Sequence, residues 1–80
     1  MHELSVALSL IELAEEEGER LGGRVCAVHI KLGALAGVVK DALLFSYEIA
    51  CQDTSLAGSQ LVIEDTPLRE LELVALEIES

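Results

Sequence analysis

The chain has 80 residues and a formal net charge of −10, from fifteen acidic side chains against five basic ones. That balance argues against nucleic acid, whose phosphates need clustered Lys and Arg, and against anionic membrane surfaces; it suits cations or a basic protein partner. One domain of this size has a thin core, and with Phe45 and Tyr47 as its aromatic residues the interior must be filled by Leu, Val, Ile and Ala, leaving little room for an enzyme's enclosed pocket.

The first predicted element is an amphipathic helix from Glu3 to about Leu21. Leu4, Leu8, Ile11 and Ala14 recur at helical spacing, and Ala7 and Leu10 widen the stripe. Glu12, Glu15, Glu16, Glu19 and Arg20 fall mostly on the remaining surface. The consecutive acids at 15–17 splay about 100° apart on a helix and do not converge on an ion. Gly22 and Gly23 supply a left-handed end.

Arg24 to Leu32 reads as a strand, with Cys26, Val28, Ile30 and Leu32 on one face and Val25, Ala27, His29 and Lys31 on the other. Gly33 and Gly37 bracket a loop. A second helix is predicted over 38–50, with Val38, Ala42, Phe45 and Ile49 as its apolar stripe. Residues 51–60, rich in Ser, Thr, Asp and Gly, read as a loop. Leu61 to Glu64 is a short strand that Pro67 punctuates.

The last segment, Arg69 to Glu79, is ambiguous. Its Leu–Glu alternation slips in parity at Val74–Ala75, so a strand here needs a bulge, while its composition also suits a helix. The order α-β-α-β-β predicts an α+β domain in which two helices cover one face of a small three-stranded mixed sheet.

Cys26 and Cys51 form no C-x-x-C pair and read as buried free thiols of a reducing compartment. The start lacks a signal-peptide pattern, and no apolar run is long enough to span a membrane. The expected location is the cytoplasm.

Two histidines are available to metal chemistry. His29, mid-strand, reads as a surface side chain. His2 follows Met1 directly. A free Met1 amine, the amide nitrogen of His2 and its Nδ1 can bind one ion through adjacent five- and six-membered chelate rings, with a fourth donor from the amide or side chain of Glu3. Such nitrogen ligands suit Ni(II) or Cu(II) better than tetrahedral zinc. His2 is too large for efficient removal of an initiator methionine, so Met1 is expected to persist.

Met1-His2-Glu3-Leu4-Ser5, continuing into an Ala- and Leu-rich helix, resembles the start of the HypA/HybF proteins. The likeness continues through Arg24-Val25 with Val28, Leu32-Gly33 with Leu35 and Gly37-Val38, Ala42-Leu43 with Phe45 and Tyr47-Glu48, Gly58 with Leu61, Ile63 and Pro67, and the ending Arg69-Glu70-Leu71 with Leu76-Glu77-Ile78-Glu79. The resemblance implies a non-enzymatic cytoplasmic metallochaperone for [NiFe]-hydrogenase maturation, in some organisms serving urease as well. Nickel would be held at Met1, His2 and Glu3, and the partners would be a nickel-handling GTPase and the hydrogenase large subunit.

Two features depart from that pattern. The family's zinc ribbon, with two C-x-x-C pairs, stands between the last two strands; here Leu68 joins Pro67 directly to Arg69, and no such pair exists. No zinc is therefore expected, the more so because Cys26 and His29 are placed on opposite strand faces. Where many members carry an acid after the Gly-Val that opens the second helix, this chain has Val39; Asp41 is the nearest carboxylate able to add a nickel ligand. The alternative to a nickel carrier is a module that docks on the GTPase or the hydrogenase without holding metal. The short hinge at 65–69 suggests either a hairpin of the last two strands or exchange of the terminal strand in a homodimer.

Overall fold

The computed structural model describes residues 2–79. Helix α1 (Glu3–Leu21) leads to strand β1 (Arg24–Gly33), helix α2 (Lys40–Cys51), strand β2 (Gln60–Thr66) and strand β3 (Leu71–Glu79). The expected order and the expected mixed sheet are present. β1 is the central strand, parallel to β2 and antiparallel to β3. The last two strands are therefore not a hairpin. Residues 67–70 cross the end of β1 to carry the chain from one sheet edge to the other.

That crossing explains Gly33. Its N–H donates to the Glu70 carbonyl at 2.7 Å, and Leu35 N–H donates to the Leu68 carbonyl at 2.9 Å. A Cβ on Gly33 would collide with the Leu68 carbonyl. Gly22 ends α1 at φ 71°, donating to the carbonyls of Gly18 and Glu19, a left-handed cap that glycine adopts without steric cost.

The helices lie side by side and run the same way. Glu3 reaches Val39 at the start of α2, and Ser55, just beyond its end, donates to Glu15. The core is built from Ala7, Leu10, Ile11 and Ala14 of α1, Val25, Val28, Ile30 and Leu32 of β1, and Leu43, Tyr47 and Cys51 of α2, closed by Leu56. Leu71, Leu73, Leu76 and Ile78 of β3 pack against it from one sheet edge, and Leu61 and Ile63 of β2 from the other.

Three apolar faces differ from the sequence expectation. In α1 the buried stripe runs through Ala7, Leu10, Ile11, Ala14 and Gly18, while Leu4 and Leu8 are exposed. The small residues win because they let the backbone approach closely; a Cβ on Gly18 would sit 3.1 Å from Cγ2 of Val25. In α2 the core takes Leu43, Tyr47 and Cys51, and Phe45 is left 66% exposed and Ile49 47% exposed. In β1, Cys26 is exposed and Val25 is buried.

The reversal at Cys26 is a β-bulge. Val25 pairs with Ile78 and Ala27 with Glu77, so Cys26 has no opposite residue. A second slip answers it on β3: His29 pairs with Ala75 and Ile30 with Leu73, leaving Val74 over. This is where the sequence parity slips, and it settles the last segment as a bulged strand. The two slips cancel, so Leu71, Leu73, Leu76 and Ile78 all pack on the core while Glu72, Glu77 and Glu79 are exposed.

Candidate metal centre at the start of the first helix

His2 is the N-cap residue of α1, with extended backbone (φ −81°, ψ 104°), and its carbonyl accepts the Val6 N–H at 3.2 Å. Its side chain makes no capping hydrogen bond, and the residue is exposed. The first N–H groups of a helix have no intrahelical acceptor. The His2 amide and imidazole are thus not committed to holding the helix together.

Glu3 is committed. Its Oε2 accepts the Val39 N–H at 3.0 Å, so the carboxylate ties the start of α1 to the N-cap of α2. The Val39 amide, and secondarily Glu3's own amide, hold this carboxyl below the usual carboxylate range. The sequence alone gave no sign of this partner, because a backbone N–H leaves no trace in residue types. It sits at the position where an acid was expected.

Asp41 lies in the first turn of α2, where a negative charge favours the helix N-terminus, and it is exposed. Among the described residues, no group of three or more His, Cys, Asp or Glu side chains gathers in a geometry that could hold a metal ion. The structure thus brings Glu3 to the start of α2 without assembling His2, Glu3 and Asp41 into one side-chain cluster. The Met1 amine lies outside the described residues.

The placement of Cys26 and His29 on opposite faces is corrected by the bulge. The Cys26 thiol donates to the Glu77 carbonyl at 3.3 Å, and Nε2 of His29 contacts Oε2 of Glu77 at 2.6 Å. Cys51 is buried as expected. The Tyr47 hydroxyl and Ser59 Oγ are 2.7 Å apart, with Cys51 Sγ 4.0 Å from the same oxygen. Burial pushes both the Tyr47 phenol and the Cys51 thiol up, keeping them neutral.

Fold and site together define a two-layer α+β domain that presents uncommitted nitrogen donors at the opening of its first helix. Residues 1–71 match the family model described as "Hydrogenase/urease nickel incorporation, metallochaperone, hypA", and the chain belongs to this family. Hydrogenase maturation factor HypA from Roseiflexus sp. is 53% identical over 70 residues, 86% of this chain and 57% of that protein. Its counterpart from Chloroflexus aurantiacus is 49% identical over 69 residues, 85% of this chain and 60% of its own length. The solution structure of the Ni metallochaperone HypA from Helicobacter pylori superposes with a TM-score of 0.75 at 26% identity, covering 82% of this chain and 58% of that one. The chain therefore spans somewhat over half the length of the relatives it matches.

Proposed function

We propose that this chain carries Ni(II) for insertion into a hydrogenase, binding it through the Met1 amine, the His2 amide and imidazole, and the Glu3 amide. The observation that carries this reading is the state of the helix start. The His2 side chain and its exposed cap position are uncommitted, whereas the Glu3 carboxylate is already bound to Val39. Glu3 then serves the ion with its backbone, and its side chain fixes the backbone that does so. A planar set of nitrogen donors selects nickel or copper over zinc.

In this role the chain is a carrier and not an enzyme. It works in the cytoplasm with a nickel-handling GTPase and with the hydrogenase large subunit, and the family's link to urease extends the client class. No zinc is expected, because the chain holds no C-x-x-C pair to bind it. Among the described residues, no helix is long and apolar enough to cross a membrane.

The test is calorimetric titration of Ni(II) into protein beginning at Met1 and into protein carrying one extra residue before it. The extension turns the Met1 amine into an amide and moves the free amine out of register. Affinity should fall at least tenfold in the extended protein. Equal affinities would remove the N-terminal site and favour the docking module that holds no metal.

A further inference from the structure

β3 is an edge strand, so one of its sides presents unpaired backbone N–H and C=O groups. Beside that free side runs an apolar groove between α1 and β3. Its first part, about 420 Å³, is lined by His2, Ser5, Ser9, Leu13, Leu71 and Leu73. A second depression, reaching Leu21 and Val74, continues it past Leu73. Leu13, Leu21 and Val74 are each about half exposed, so apolar surface runs beside an open strand edge.

The charge along this edge identifies what fits there. The exposed positions of β3 include Glu72, Glu77 and Glu79. On β1, Lys31 stands opposite Glu72 in the strand register, and His29 contacts Glu77. On the α1 rim Glu17 is bonded to Arg20, and Glu16 adds a further acid. A second copy of β3 would set glutamates against glutamates, which is destabilising across a strand pair.

We propose that the free edge of β3 binds an extended, basic segment of a partner protein by strand addition. Its alternate apolar side chains fill the α1–β3 groove, and its intervening Lys or Arg side chains lie against Glu72, Glu77 and Glu79. Main-chain hydrogen bonds supply affinity, and the groove and the acidic row supply specificity. His2 lines one end of the groove, so a segment lying in it passes that residue. The proposal does not rest on the metal reading, since Leu13, Leu71 and Leu73 line the groove apart from His2.

The test uses metal-free, ¹⁵N-labelled protein and ten-residue peptides alternating Val and Lys. Two versions carry backbone N-methyl groups at the odd or at the even positions, each blocking one edge of the peptide strand. A third replaces Lys with Glu. The unmethylated Val–Lys peptide should shift amides of β3 together with those of Ser5, Ser9 and Leu13. One N-methylated version should bind at least tenfold more weakly than the other, and the Glu version should not bind. Leu13→Ser, at a half-exposed position, should weaken the Val–Lys peptide several-fold without changing the protein's circular dichroism. Equal binding by both methylated peptides would reduce the effect to charge attraction and overturn the proposal. Self-association of the protein through β3 would overturn it too, by giving the edge to a second copy.

Discussion

Glu3 and His2 are neighbours in the chain with opposite commitments. Glu3→Ala keeps the backbone nitrogen and removes the bond to Val39; nickel affinity should fall only a few-fold, while His2→Ala, which removes the imidazole from the proposed chelate, should lower it by two orders of magnitude or more. Calorimetry on the two variants decides between a carboxylate that binds the ion and one that positions its neighbour. The sign of the pH dependence follows from the lowered pKa of Glu3. Its contribution to folding is present above the ordinary carboxylate range and is lost as pH falls through the depressed value. Tyr47 works the other way. Its pKa is raised, chiefly by burial, so its contribution is complete below the ordinary phenol value of about 10 and is lost as pH climbs toward the raised one. Tyr47→Phe should cost about 1 kcal/mol near neutrality through the lost Ser59 bond. Urea denaturation should also show a shallower alkaline decline in this variant than in the parent.

At the scale of the element, α2 offers two apolar stripes and buries one. Leu43→Ala should cost about 2–5 kcal/mol, as truncation of a fully buried leucine does. Phe45→Ala should change stability by less than about 0.5 kcal/mol, because the ring is mostly in solvent. Denaturant midpoints for the pair test which face is packed, and the reverse order would restore the stripe through Val38, Ala42, Phe45 and Ile49. The error has a physical source. Helical periodicity reports which residues share a face, but with leucines or aromatics on both sides of a helix it cannot say which face a neighbour covers. The five elements and the mixed sheet were legible because Gly22, Gly33, Gly37 and Pro67 punctuate strong periodic runs. The slip at Val74 was legible because it breaks a strict Leu–Glu alternation. The bulge at Cys26 was not, since Val25, Cys26, Ala27 and Val28 are all apolar and parity among them leaves no mark. At the candidate metal site, His2 and Glu3 could be named from their place in the chain and the family likeness. The anchoring of Glu3 could not, because its partner is a backbone N–H.

For the whole molecule, the decisive stretch is the link between β2 and β3. A short hinge here raised exchange of the terminal strand between two chains, but the link is long enough to close the sheet within one. Reaching from one sheet edge to the other past β1 means covering two interstrand spacings, about 9.6 Å. From Thr66 to Leu71 the chain takes five Cα steps, which extend to about 17 Å. The slack is used to round the end of β1 and is fixed there by the bonds of Gly33 to Glu70 and Leu35 to Leu68. Exchange would give up those bonds and gain no new strand pairing. We therefore expect sedimentation equilibrium to return the mass of one chain, independent of concentration, in metal-free protein. Deleting Leu68 and Arg69 leaves three steps, about 10 Å at full extension, with nothing left to turn the corner. That variant should be driven to exchange β3 and sediment as a dimer. A dimeric parent, or a deletion variant that stays folded and monomeric, would show that the link does not govern how the sheet closes.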